Sequence, residues 1–422
     1  MSSKIIEYFI EITKIPHCSQ DTSRLRDFLV KFAKDRDYRV EIDKSNNILI
    51  SKGNPKIILQ AHYDMVCMGE APNIETFIDG DLLKAKNSSL GADNGIAIAM
   101  MMELIDRGVE CEYLITNDEE IGLIGAKALN FELQSKYMLN LDSEDEGEVY
   151  IGCAGGEDIK ASYNYKNSKI VESNIYQLSI SNLAGGHSGV DIDKNIPSAI
   201  KLLVEYIKNI DNFKLISFSG GERRNSIPAN AKAIIHTSSN LTLNNLVDIK
   251  PLDGKFETID NTLIDILDKI HHGVVDYNNE FNIPNSSINL AIISSDKNSS
   301  TIEITTRAMS QDSLNSVTKS AIDILKEYNY SYQIEDNYLA WQPKIDNFSN
   351  LVNDKMKKEF GYSKFVAIHA GLECGVISDI YPHISYTSIG PTIRYPHSQK
   401  EELQISSIEK IFRVVEDVIN DI

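Results

Sequence analysis

Apolar and polar positions along roughly the first 165 residues alternate between two periods. Short apolar runs, NNILI, KIILQAH, CEYLITN and YMLNLD, read as strands, and IIEYFIEITKI and NGIAIAMMMELIDRG between them read as helices. Strands alternating with helices predict a mostly parallel sheet with helices on both faces. From about residue 170 to 340 the pattern changes to longer alternating strands, among them NIYQLSIS, FKLISFS, AKAIIHT, SSINLAIIS, STIEITTR and YSYQIE, with AIKLLVEYIKNI and SLNSVTKSAIDILKEY as helices. This is the pattern of a separate α+β domain. After LAWQPKIDN the α/β character resumes, so the second domain is predicted to be inserted into the first. Residues 1–168 and 345–422 would form one discontinuous α/β domain, and 169–344 the α+β insert.

Composition narrows the class. A chain of 422 residues that is 42% hydrophobic and 24% charged is globular, with enough length for two or three domains. The longest apolar run, Ile96 to Met102, falls far below the roughly 20 residues of a membrane span. The opening MSSKIIEYFIEITKIPHCS reads as an amphipathic helix rather than a signal peptide, so a cytoplasmic location without a membrane partner is expected. A formal charge of -19 without clustered Lys and Arg disfavours nucleic acid as a partner. The five cysteines, Cys18, Cys67, Cys111, Cys153 and Cys374, are widely spaced and form no C-x-x-C. Neither a disulfide framework nor a thiolate zinc site is expected, and the thiols are read as buried and inert.

The chemistry is concentrated just past the apolar runs of the first domain. His62 and Asp64 follow KIILQ, Asp118-Glu119-Glu120 follow YLITN, Asp142 follows YMLNL, and Asp93 lies in the turn GADNG. Open α/β sheets gather ligands beyond the carboxyl ends of their strands, so these segments are expected to meet in one crevice, and that many carboxylates need cations. On extended backbone His62 and Asp64 share a face, which lets the carboxylate hold a metal-binding imidazole, although a surface H-x-D is the plainer reading. Asp93 could equally be a helix cap. Three adjacent carboxylates at a strand end repel unless solvated or neutralised; one glutamate can bind a metal while its neighbour acts as a base on water. The run from Asp142 to Glu148 is either a ligand loop or a solvent-facing acidic stretch, with Asp142 the preferred ligand.

In order along the chain, LQAHYDMV, GADNGIAIA, TNDEEIGLIGA, NLDSEDEGEVYIGCAGG, GGHSGVDI, RRNSIPANA, HAGLECGVIS and SIGPTIRYPHS resemble the M20 metallopeptidases, and within them the aminoacyl-histidine (Xaa-His) dipeptidase group. The resemblance covers residues 1–237 and 360–422 well and the middle of the insert poorly. It implies a catalytic α/β domain with an inserted lid and dimerisation domain, a small peptide substrate, and an expected homodimer through the insert. It also implies two divalent ions, zinc first with cobalt or manganese as alternatives. Asp93 would bridge them, with His62 and Asp142 completing one site and Glu120 and His397 the other. The peptide bond Asp93-Asn94 would be cis. Glu119 would be the general base toward a metal-bridging water, with Asp64 orienting His62. In the insert, His187 would stabilise the oxyanion, Asn225 would contact substrate, and Arg307 would clamp the substrate carboxylate, with Arg223 and Arg224 as competing choices. The segment His369 to Gly375 would either line the substrate pocket or pack in the core.

The activity expected from this resemblance is hydrolysis of unblocked dipeptides, Xaa-His and broader. The alternatives are a metal-dependent N-acyl-amino-acid amidohydrolase in the same fold and a non-catalytic metal-binding protein. No H-E-x-x-H, G-x-S-x-G, P-loop or dinucleotide fingerprint supports another chemistry.

Overall fold

The computed structural model describes residues 2–166, 168–242 and 244–422. The chain divides into two compact units, Met1–Gly152 with Pro343–Ala367 and Leu372–Ile422, and Cys153–Gln342 with Ile368–Gly371.

The first unit is built on an eight-stranded sheet. At its centre lie β1 (Ile57–His62), β2 (Glu112–Thr116), β3 (Tyr137–Asn140) and β4 (Ser385–Ser388), in the spatial order β2-β1-β3-β4. All three of these pairings are parallel. The parallel character predicted from sequence stops at both ends of this core. Ile48–Ser51 pairs antiparallel with β2 and with Arg39–Ile42, and Glu148–Cys153 pairs antiparallel with β4. The first departure has a local cause. Asp43 accepts hydrogen bonds from the backbone N–H groups of Ser45 and Asn47, closing a short loop, and strands joined by so short a loop can only run antiparallel.

Every residue of β1 and β2 is buried, as expected of parallel strands covered on both faces. One cover is α1 (Ala92–Asp106), buried at every position from Asn94 to Ile105. A helix that is apolar on all sides needs neighbours around it. The helix Ser2–Thr13 supplies one, packing on α1 with Ile5, Phe9 and Ile12 fully buried. The closing helix Ile405–Asp421 packs against Asn347–Phe360 with a stripe of Ile408, Ile411, Val415 and Val418.

The second unit is a nine-stranded sheet whose described pairings are antiparallel, with helices Ala199–Lys208, Thr262–Lys269 and Gln311–Glu327. Its core joins sheet residues such as Leu178, Phe218 and Ile304 to the helix residues Leu203, Leu267 and Leu314. The fold class is therefore α/β joined to α+β.

One expectation is overturned. Cys18 and Cys67 form a disulfide, with Cα atoms 5.5 Å apart, and the other three cysteines, Cys111, Cys153 and Cys374, are buried outside it. The pairing arises because the segment around Cys18 runs alongside the chain leaving β1. Met65 N–H donates to the His17 carbonyl, and Ser19 N–H donates to the Met65 carbonyl. Residues separated by 49 positions are thereby placed side by side, which their spacing alone does not reveal. Among the described residues, no helix is long and apolar enough to cross a membrane.

Candidate active site

Because β2, β1 and β3 are adjacent and parallel, their carboxyl ends deliver Asp118-Glu119-Glu120, His62 and Asp142 to one edge of the sheet. Asp93 arrives from the start of α1, where Gly91 at φ 72° caps the helix in the left-handed region; a side chain there would also meet the Met65 sulfur at 2.9 Å. The Asp93-Asn94 peptide bond is cis. Asn94 donates from its side chain to the Leu141 carbonyl at 3.0 Å, tying the head of α1 to the residue before Asp142.

His62 is almost completely buried. Its Nδ1 lies 3.0 Å from the Asp64 main-chain carbonyl and 3.5 Å from the Asp64 carboxylate. A carbonyl only accepts, so Nδ1 carries the proton and donates, leaving Nε2 to face the acids. Nε2 sits 3.1 Å from Asp93 Oδ1 and 3.4 Å from Asp142 Oδ1. On the other side of Asp93, His397 Nε2 lies 3.0 Å from Oδ2 and 2.9 Å from Glu120 Oε2. The two oxygens of Asp93 are thus divided between two imidazoles.

Asp64 does more than face His62. Its carboxylate accepts the backbone N–H of Glu119 at 2.9 Å, that of Glu120 at 3.3 Å and the Ser19 hydroxyl at 2.8 Å. It therefore fixes the turn that presents both glutamates.

Electrostatically the cluster is a set of acids waiting for positive charge. Burial lifts the Glu119 carboxyl well above its usual range, and the charges of Glu120, Asp142 and Glu373 add to the effect while His62 opposes it. Burial, reinforced by Asp93, raises Glu120 to about 7. Burial raises Asp142 to about 6 against the pull of His62. Asp93 goes the other way: burial would raise it, but hydrogen bonds from His397 and His62 hold it well below the usual carboxylate range. Burial would lower both imidazoles. The charge and hydrogen bond of Asp142 nonetheless lift His62 well above neutral, and hydrogen bonds with Asp93 and Glu120 take His397 to about 11.

Among the described residues, three groups of donors could hold a metal ion, each with its ligand atoms within 4.8 Å of one another: His62, Asp93 and Asp142; Asp93, Glu120 and His397; and His62, Glu119 and Glu120. The donor chemistry fits a divalent ion, combining imidazole nitrogen with carboxylate oxygen. Glu120 Oε1 is moreover buried without a hydrogen-bond partner, an expensive arrangement unless a cation completes it.

Sequence reasoning flagged the segments that hold Glu144 and Glu373 without singling out these two carboxyls, and it missed Glu401. Glu144, two residues after Asp142, is raised to about 8 by burial and by the charges of Asp93 and Asp142. Glu401, four residues after His397, is buried and accepts backbone hydrogen bonds from Leu90 to Asp93. The segment His369 to Gly375 divides between the units. Glu373 is fully buried at the start of α2 (Glu373–Ile380), where it accepts from Gln60 Nε2 at 2.5 Å and Thr116 Oγ1 at 2.7 Å. It thus bonds side chains of both β1 and β2. His369 is buried in the second unit, its Nε2 2.8 Å from the Ser287 hydroxyl.

The remaining predicted residues also lie in the second unit. His187 Nδ1 accepts the backbone N–H of Gly189 at 3.2 Å and of Val190 at 3.1 Å, so the ring's other nitrogen carries the proton and can donate. Asn225 is exposed. Arg307 is buried, donates to the Tyr338 hydroxyl, and has no partner for Nε. The competing Arg224 is committed elsewhere, to Glu303 at 2.5 Å and Glu335 at 2.6 Å with Asp158 and Asp336 slightly beyond, and Arg223 is exposed.

A sheet edge that groups imidazoles and carboxylates around one aspartate is the kind of donor cluster that metal-dependent hydrolases use. Comparison with known proteins specifies it. No protein-family model matches the chain. The cytosol non-specific dipeptidase of Escherichia coli (strain K12) is 30% identical over 470 residues, covering 99% of this chain and 97% of that protein. The structure of aminoacylhistidine dipeptidase from Vibrio alginolyticus superposes with a TM-score of 0.81 and 26% identity, covering 99% of this chain and 96% of that one. A tripeptidase from Staphylococcus aureus shares the fold, with a TM-score of 0.63 at 16% identity, over 100% of this chain and 98% of that one. The chain belongs to the M20 metallopeptidases, in the aminoacyl-histidine dipeptidase group.

Proposed function

We propose that this protein hydrolyses unblocked dipeptides in the cytoplasm, Xaa-His among them, using two divalent ions with zinc the preferred occupant. The observation that carries the dinuclear reading is the division of the Asp93 carboxylate, Oδ1 toward His62 at 3.1 Å and Oδ2 toward His397 at 3.0 Å. A carboxylate held with one oxygen toward each imidazole is placed to serve both sites, and Asp93 would be the residue they share. His62 and Asp142 would complete one site, Glu120 and His397 the other. When bound, the ions would polarise the scissile carbonyl and activate a water for attack.

The chain's own residues divide the remaining work. Glu119 is the base: its backbone is fixed by Asp64, it is no part of the two sites that share Asp93, and its proton affinity is raised by burial. Once cations offset its acidic neighbours it can take a proton from the attacking water and return it to the leaving amine. Asp64 keeps His62 in the tautomer whose Nε2 is free to ligate. In the second unit, His187 presents a donating nitrogen suited to a developing oxyanion, with Asn225 as a further substrate contact. Arg307 is the carboxylate clamp, since its buried Nε is unpartnered whereas Arg224 is already surrounded by acids. Such a clamp restricts substrates to short peptides with a free carboxyl end.

The test is hydrolysis of an Xaa-His dipeptide beside its N-acylated analogue, with metal-stripped protein, zinc- or manganese-restored protein and Glu119→Ala in parallel. Metal-dependent cleavage of the free dipeptide alone, lost in the variant, is expected. Cleavage of only the acylated analogue would make the protein a deacylase instead.

A further inference from the structure

Asp93 can bridge only if the backbone that carries it is held still, and the turn before α1 has no ladder of its own to hold it. The N–H groups of Leu90, Gly91, Ala92 and Asp93 all converge on one side chain, the Glu401 carboxylate, at 2.7, 3.0, 2.8 and 3.3 Å. Glu401 is 3% exposed, so these bonds are sheltered from water. Its own position is fixed twice over. Its backbone N–H donates to Ser398, and the next residues, Glu402–Gln404, pair with both Leu82–Ala85 and Ile393–Arg394. The second pairing closes a loop, residues 395–401, that also carries His397.

We propose that Glu401 is a positioning residue that locks the Leu90–Asp93 backbone so that Asp93 is presented to both metal sites in register with His397. One short loop then sets two things at once: the outer imidazole, and the backbone of the shared carboxylate. Neutral substitutes cannot do this. A glutamine would turn its NH2 toward two of the N–H donors, whereas an aspartate keeps the charge but is one methylene short. The inference rests on the dinuclear reading for its effect on catalysis, but not for the anchoring itself.

The experiment compares the full-length parental protein with E401Q, E401D and L403A. Leu403 is fully buried in the short strand that follows Glu401 and carries an apolar side chain, so L403A reports ordinary destabilisation. Amide hydrogen exchange of residues 90–93 is measured in metal-stripped protein, and zinc affinity by competition with a chelator. In E401Q, exchange should quicken by about tenfold or more and zinc should bind about 10- to 100-fold more weakly. Its kcat at saturating zinc should fall while KM stays within about twofold. E401D should recover part of each loss, and it stands in for E401Q if that variant does not fold. Unchanged amide protection and zinc affinity in E401Q would overturn the proposal, as would an equal loss of zinc affinity in L403A. If the parental protein binds no zinc yet E401Q loses protection at residues 90–93, the anchoring stands and the dinuclear reading falls.

Discussion

Loading this site with zinc should expel protons, and the structure sets a lower bound. In the metal-free protein at pH 7, His397, raised to about 11, holds a proton, and the pull of Asp142 raises the proton affinity of His62 in the same direction. Glu120, raised to about 7, and Asp142, raised to about 6, hold protons more readily than ordinary carboxylates. Asp93 is already ionised. Ligation requires neutral imidazoles and ionised carboxylates, so binding two ions should release more than one proton. Any proton that the cations draw from Glu119 adds to this figure. The sign follows directly, because protons and zinc compete for the same atoms. Overall affinity should rise by more than one power of ten per pH unit near 7 and fall steeply on acidification. Titration calorimetry of the metal-stripped protein, in buffers of different ionisation enthalpy, reads the proton count as the slope of observed heat against buffer enthalpy. Release of less than one proton, or an affinity that is flat between pH 6 and 8, would refute this account of the site.

Other outcomes follow from the same geometry. Glu119→Ala should lower kcat by at least about a hundredfold while two zinc ions still bind, whereas Glu120→Ala should lose one ion as well as activity; zinc stoichiometry by atomic absorption separates the two. Arg307→Lys should raise KM for dipeptides by about tenfold or more and should not affect a dipeptide amide, because a point charge replaces a two-pronged donor; the ratio of kcat/KM for the two substrates measures this. His187→Phe should lower kcat by about a hundredfold or more with KM little changed, through loss of one oxyanion donor. Phe218→Ala, in the core of the second unit, should cost about 3–5 kcal/mol in denaturant unfolding without altering zinc affinity.

The convergence of His62, Glu119, Glu120 and Asp142 could be read from sequence because parallel strands all end on the same side. An acid just past an apolar run therefore has a predictable destination. The α/β and α+β division was legible for a related reason, since hydrophobic period follows secondary structure. What stayed hidden depends on contacts between distant segments. Glu401 sits in QKEEL, where it looks like any surface acid until the turn before α1 is folded against it. Glu373 shares that ambiguity, as nothing local says that HAGLECG buries its carboxyl beside Gln60 and Thr116. The antiparallel hairpin at one end of the first sheet depends on a loop closed by Asp43, and the Cys18–Cys67 bond on two segments running side by side. In each of these cases the deciding partner is far away in sequence or visible only as backbone geometry.

The bonds made by Asp64 have a consequence for precision. The same carboxylate steadies His62 and, through two peptide N–H groups, the turn bearing Glu119 and Glu120. Thermal drift of the strand end then carries His62, Glu119 and Glu120 together, so their mutual spacings vary less than the position of any one of them. The site behaves like instruments bolted to a common bench: it can ride on a mobile scaffold and stay aligned, because alignment is a property of differences.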